Sequence, residues 1–284
     1  ISGCMLALVK RKDWVMEVRD LWPESILAVE AVSIPWVIWS LEKIELFLYR
    51  NAKKIIVVTE SFRNNISSRG IDPKKIFVIK NGVDVSIYSP QGKNSELRTK
   101  LGIQDKFVVG YLGTHGLAHS LDFIVRSIAS QRDNSFHFLF IGDGAVKKSI
   151  VKLSEELNVD NITFIDAVSK NEIPGYLAAI DVSLVPLKKS PTFESVIPSK
   201  IFESAAMNIP ILLGVNGETK VLIESYHAGL YFEPENEKDF IEKLNLIRNQ
   251  AESSETFTAG CQNLANDFDR KQLAKRMLQI LSQS

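Results

Sequence analysis

Ile197-Pro-Ser-Lys-Ile-Phe-Glu-Ser-Ala-Ala-Met207, continued by Asn208-Ile-Pro-Ile-Leu-Leu213, reads as a loop, a short helix and a buried strand. Ser199 and Lys200 fall on the first helical turn. Free backbone N–H groups and the helix dipole favour an anion there, and Lys200 adds a full positive charge. Glu203 follows on the same helical face. A carboxylate one turn below a phosphate site is placed to accept hydrogen bonds from a ribose diol. The layout suggests a nucleotide diphosphate held at both phosphate and sugar. Taken alone, the segment also fits an ordinary αβ unit with a surface lysine. Asn208 stands where glycine would end the helix, and asparagine tolerates the left-handed conformation of a helix stop.

Outward from this stretch, apolar and β-branched runs alternate with helical patterns, which predicts parallel α/β layers. The strands are expected at 14–18, 54–58, 76–79, 107–112, 136–141, 162–164, 182–185, 209–213 and 230–232. Their composition suits strands covered on both faces. Thr59 is placed to cap a short helix over 60–66 that Gly70 ends. Ser169 with Glu172 matches a capping box, and Asn236 is placed to cap a helix over 237–247. Pro174 falls early in its helix, where proline is tolerated. The polar, turn-rich region 85–105 reads as a linker between two domains. The last helix, 270–281, is amphipathic, with Leu273, Met277, Ile280 and Leu281 on one side.

The chain has 284 residues, enough for two domains. Hydrophobic residues make up 45% and charged residues 24%, as in globular proteins. With 34 basic and 34 acidic residues, nothing favours nucleic acid as a partner. Cys4 and Cys261 have no metal or redox spacing and fit free thiols in a reducing compartment. There is no run of apolar residues long enough to span a membrane and no signal-peptide pattern. The stripe Trp36, Trp39, Leu41, Ile44, Leu46 and Phe47 is expected to be a buried core helix rather than a membrane contact, because long basic clusters are absent.

Gly110-Tyr-Leu-Gly-Thr-His-Gly116 runs from the end of a strand into a helix. Its glycines let backbone approach a ligand closely. The pattern is not Gly-x-Gly-x-x-Gly, and Asp133 precedes the next strand instead of ending it, so a dinucleotide fingerprint is rejected. Gly113, Thr114, His115 and Gly116 fit a loop facing the phosphates and sugar of a bound nucleotide, or a plain strand–helix turn. In Phe138-Leu-Phe-Ile-Gly-Asp-Gly144, Gly142 and Gly144 shape a turn at a strand's carboxyl end, where open α/β sheets bind ligands, and Asp143 reads as a helix N-cap.

Val78-Ile-Lys-Asn-Gly-Val-Asp84 adds a second signature. Val18-Arg-Asp-Leu-Trp-Pro-Glu-Ser25, Val57-Val-Thr-Glu-Ser61 and Ala179-Ile-Asp-Val182 follow in compatible order and spacing. Together with Pro198-Ser-Lys200, these segments resemble the retaining, nucleotide-sugar-dependent glycosyltransferases of family four. Those enzymes have the GT-B fold, and the match looks closest to the bacterial branch that builds surface polysaccharides. The resemblance covers nearly the whole chain. It implies two Rossmann-like parallel-sheet domains: an acceptor-side domain over 1–88, a nucleotide-sugar donor domain over 89–268, and a helix over 269–284 that crosses back. The chain opens on Ile1 in what looks like mid-domain. The acceptor-side domain is therefore expected to be incomplete, lacking roughly a hundred residues.

The resemblance assigns the diphosphate to Lys200, with Pro198, Ser199 and Glu203 beside it. It places the base against Ala167 and Val168. The family's paired glutamates put the first on Ser195, with Glu194 one place off. That departure puts in doubt a first glutamate on the donor sugar. Arg19 and Asp20 occupy a site where many members carry an active-site histidine. Asp20 is placed to orient the acceptor hydroxyl or donor sugar and Arg19 to bind an acceptor phosphate; a loop-holding Arg–Asp pair is the alternative. Trp22 and Pro23 are expected to pack. Asn81, Gly82 and Asp84 are expected to form a tight turn with positive φ at Gly82.

The implied activity is transfer of a sugar from a nucleotide diphosphate, UDP first, to a polysaccharide or lipid-linked acceptor, with Lys200 stabilising the leaving group. No cofactor or metal is implied. Partners are the nucleotide sugar and a glycan or lipid-linked acceptor; the expected location is the cytoplasm, free or as a peripheral protein on the inner face of the membrane. A sugar-nucleotide epimerase of the same fold and a non-catalytic nucleotide-binding fragment are the rival readings.

Overall fold

The computed structural model describes residues 2–28, 34–251 and 255–282. The strands form where the apolar runs predict: β1 Val15–Val18, β2 Lys54–Val57, β3 Ile76–Val78, β4 Phe107–Leu112, β5 Phe136–Ile141, β6 Ile162–Ile165, β7 Val182–Pro186, β8 Ile211–Gly214 and β9 Gly229–Tyr231. The chain divides into two compact units. The first comprises Ile1–Asn81, Ser190–Ile197 and Gln272–Ser284; the second comprises Gly82–Lys189 and Pro198–Lys271.

In the first unit β1, β2 and β3 pair in parallel in that order. Val18, Ile55, Val57, Phe62, Ile66 and Ile76 form its core with Tyr49. The helix Glu60–Ser68 starts at Thr59, whose hydroxyl accepts from Phe62 N at 3.1 Å, satisfying a donor the helix itself leaves free. The helix Pro35–Asn51 corrects the expectation of a buried core helix. Its inward side is Glu45 and Tyr49, while Trp36 is 71% and Trp39 60% exposed, with Ile44 and Phe47 also outward. The physical reason is phase: 45 and 49 share one face, and the tryptophans fall on the other. Tyr49 keeps Glu45 company there, donating to its carboxylate at 2.6 Å. Trp22 is likewise exposed rather than packed.

In the second unit six parallel strands run in the order β6-β5-β4-β7-β8-β9. Counted within the unit, this is the doubly wound order that reverses direction between its first and fourth strands. The aromatic core Phe136, Phe138, Phe140, Phe232 and Phe240 packs against Val109, Tyr111, Leu184 and Leu212. β8 begins at Ile211, not 209, because Ile209 N closes the preceding helix on Ser204 O at 2.9 Å and Pro210 has no N–H to give a ladder. Asn208 takes φ 58° at the helix stop.

Three further expectations are corrected. The segment 85–105 is part of the second unit, not a free linker: a helix Ser95–Lys100 forms in it, capped by Asn94. Asp143 is not a helix N-cap; its carboxylate accepts from its neighbour Gly144 N at 2.7 Å, and the helix Lys147–Glu156 starts after Val146. Gly82 is not among the positive-φ glycines. The turn forms instead through Asp84, which accepts from Ser86 N at 3.0 Å, so no left-handed residue is required. Ser169 and Glu172 make half of the expected box: Ser169 N and Oγ both donate to the Glu172 carboxylate, at 3.0 and 2.6 Å, while Glu172 N donates to the Ser169 carbonyl rather than to its hydroxyl, and the helix itself begins at Ile173.

What ties the segment 85–105 down is Asp181. It accepts from Arg98 at 3.1 and 3.2 Å, from Val108 N at 2.7 Å, and pairs with Lys93 at 2.6 Å. Arg98 is buried at 3% exposure. Asp181→Ala would strand that guanidinium and is expected to cost about 3–5 kcal/mol. Urea unfolding of the variant, with an unchanged denaturant slope, checks this.

Candidate active site at the carboxyl edge of the six-stranded sheet

Open parallel sheets bind ligands outside the carboxyl ends of their strands, where the order reverses. Here that point lies between β4 and β7. The loop after β4, 113–116, and the loop after β5, 142–144, are laced together. Gly113 N donates to Ile141 O at 2.9 Å, His115 N to Asp143 O at 2.9 Å, and Val146 N to His115 O at 3.0 Å. Such closeness needs glycine: a Cβ at Gly142 would stand 1.9 Å from Gly113 O, and one at Gly144 2.4 Å from His115 O.

The helix Lys200–Ala206 reaches this edge because Ser204 Oγ donates to Ser183 Oγ of β7 at 2.7 Å, and Ile201, Phe202 and Ala205 are buried beneath it. Only two turns long, the helix contributes little dipole. The positive charge at the site is Lys200 itself. Its Nζ is buried with no hydrogen-bond partner and lies 3.9 Å over the centre of the Tyr111 ring. It sits directly beneath Gly113, since a Cβ there would be 3.2 Å away. Gly113 is itself exposed. Burial holds the Lys200 pKa down from 10.5 to about 7, Glu203 opposing the shift. An amine so placed gains most from an anion that brings charge to it.

Glu203, one turn on, is half-buried. Burial raises its pKa, against the pull of Arg270, Lys200 and Lys170. Lys200 and Glu203 thus feel one another without forming an ion pair. Pro198 is half-buried and Ser199 exposed beside them. Gly113 and Thr114 present an exposed surface, with Gly116 half-covered.

His115 departs from the expectation of a ring facing a ligand. Its imidazole is fully buried between Tyr111 and Phe140, with neither ring nitrogen bonded. Burial, then Lys147 and Lys200, push its pKa down to about 4, so the ring is neutral at pH 7. What His115 offers the loop is its main chain. After β6, Ala167 is exposed and Val168 half-buried. Next to them Asp166 pairs with Lys147 at 2.5 Å, which holds the carboxylate below its usual range. Lys147 also donates to Gly142 O at 2.8 Å and Ile165 O at 3.1 Å, clamping two strand ends.

Arg19 and Asp20 lie in the first unit, both exposed. Arg19 pairs with Glu17 at 2.9 Å and reaches Asn81 Oδ1 at 3.3 Å, so an Arg–Asp pair is not what holds this loop. Ser195 Oγ donates to Thr192 O at 2.7 Å. Sequence reasoning missed Tyr111, His119 and Lys147. Tyr111 reads as a strand core residue by alternation, and nothing local to Lys200 says that a ring from β4 lies under it.

The strand order and carboxyl-edge loops define a doubly wound α/β protein, and the likeness to solved structures gives it the GT-B fold. Residues 93–263 match the family model of Glycosyl transferases group 1, and residues 20–87 match that of Glycosyltransferase Family 4. The chain belongs to the group 1 glycosyltransferase family. Among curated relatives, it is 26% identical over 205 residues to "Putative teichuronic acid biosynthesis glycosyltransferase TuaH" of Bacillus subtilis (strain 168), covering 72% of this chain and 50% of that one. To the poly(ribitol-phosphate) alpha-N-acetylglucosaminyltransferase of Staphylococcus aureus (strain COL) it is 22% identical over 256 residues, covering 85% and 47%. The chain spans about half the length of these relatives. Among solved structures, Anabaena Alr3699/HepE in complex with UDP and glucose superposes with TM-score 0.84 at 19% identity, covering 99% of this chain and 75% of that one.

Proposed function

We propose that the chain carries the donor site of a retaining glycosyltransferase that moves a sugar from UDP to a polysaccharide or lipid-linked acceptor. The observation that carries this reading is the buried, unpartnered ammonium of Lys200 under exposed Gly113 at the point where the strand order reverses. A diphosphate there would complete the partner the amine lacks. Glu203 would hold the ribose hydroxyls, and Ala167 and Val168 the base. The likeness to a protein solved with UDP supports the choice of nucleotide.

In the reaction the bond from the sugar's anomeric carbon to the diphosphate breaks and a bond to the acceptor oxygen forms on the same face. The acceptor proton leaves with the diphosphate. Lys200 and the N–H groups near Ser199 and along 113–116 meet the charge that develops on the leaving oxygens, in place of a bound metal. Arg19 and Asp20 take the acceptor side. No helix among the described residues is long and apolar enough to cross a membrane. The outward tryptophans of Pro35–Asn51, with Lys43 over Trp39, suit a lipid surface from which an acceptor would come.

Thermal melting with UDP, GDP and ADP, followed by transfer assays on UDP-sugars, tests the reading. UDP alone is expected to raise the melting temperature in a concentration-dependent way. No stabilisation by any of the three would sink it.

A further inference from the structure

We infer that Tyr111 is the positioning residue of Lys200: its ring face is the rest that holds the ammonium beneath Gly113, ready for a diphosphate. This rests on the donor-site reading and adds to it the group that aims the cation.

The geometry is specific. Nζ lies 3.9 Å from the ring centroid, close contact for an ammonium over an aromatic face, and has no hydrogen-bond partner. The ring is fully buried. Its hydroxyl donates to Thr114 O at 2.5 Å, which ties the ring to the loop that Lys200 underlies. Around it stand His115, His119 and Phe140, with centroids 5.6, 5.9 and 5.7 Å away. Four constraints leave the ring no freedom to turn, so its negative face is presented to one point. An ammonium over such a face is attracted electrostatically, more so where water is excluded. The two imidazoles, both held near pKa 4 chiefly by burial, bring no rival positive charge at neutral pH. A long, flexible lysine without this rest would have to lose its rotamer freedom when the anion arrives.

The test is UDP affinity, by calorimetry on the full chain, in parent and Lys200→Met backgrounds. Tyr111→Phe keeps the face and is expected to bind within about twofold of the parent. Tyr111→Leu, and pentafluorophenylalanine incorporated at position 111, which keeps volume but reverses the face charge, are expected to weaken binding roughly five- to thirtyfold. The fluorinated ring serves if the leucine variant fails to fold. In the Lys200→Met background neither change should weaken binding further, because interacting residues are not additive. Equal weakening in both backgrounds would make the ring merely structural and overturn the inference. So would unchanged affinity when the ring face is lost. If Lys200→Met alone binds UDP as tightly as the parent, the donor-site reading fails first, and the ring has nothing to aim.

Discussion

Lys200→Met is expected to yield a protein that melts higher than its parent and transfers almost no sugar. Both halves of that result come from the same burial. A lysine whose folded pKa is about 7, against 10.5 when exposed, binds its proton less well in the folded state. The unfolded chain therefore holds more protons between about pH 7 and 10.5, and stability rises with pH through that window. Below pH 7, where both states are protonated, the penalty is fully present, up to roughly 5 kcal/mol. Methionine fills much the same space without the amine, so its gain should be largest near neutral pH and vanish above pH 10.5. Loss of the contact with Tyr111 works against the gain by about 0.5–2 kcal/mol. Turnover should fall about a hundred- to a thousandfold, the usual loss when one preorganised donor to a leaving group is removed. Melting curves across pH, set beside initial rates, check the pair. A variant both less stable and inactive would speak for a structural lysine, and near-normal rates would refute its place on the diphosphate.

Glu203→Gln should separate the sugar from the phosphates. If the carboxylate holds the ribose diol, its replacement weakens UDP binding by roughly ten- to a hundredfold, the worth of hydrogen bonds to a charged acceptor. The sharper measurement compares UDP with 2′,3′-dideoxy-UDP. The parent should prefer UDP by about the same factor, and Glu203→Gln should have lost that preference. Glu203 is held near its positive neighbours Arg270, Lys200 and Lys170. A general electrostatic effect of the substitution would therefore raise affinity for both nucleotides alike. Full retention of the preference for UDP would remove Glu203 from the ribose.

The nine strands among the described residues were legible because their signal is local. β-branched and apolar runs such as 107–112 and 136–141 match β4 and β5 without change. Caps were legible for the same reason: Thr59 and Asn236 each accept from a main-chain N–H three residues on. Misreadings arose where the outcome depends on distant partners. The tryptophans of Pro35–Asn51 look like core by composition, yet the face buried is set by which side meets the sheet. Asp143 looks like a cap, but its loop is bent by hydrogen bonds to 113–116, which shift the helix start past it. The segment 85–105 looks like a linker until Asp181, far along the chain, claims Arg98.

The order of amino acids alone determined the parallel α/β class and the presence of a lysine and a glutamate one turn apart on a short helix, since backbone preference, periodicity and helical spacing act over a few residues. The tertiary structure decided that the lysine's ammonium is buried, unpaired and resting on Tyr111, and that His115 turns its ring inward. Those outcomes depend on desolvation and on ring contacts between β4 and a helix distant in the chain, which no local pattern carries.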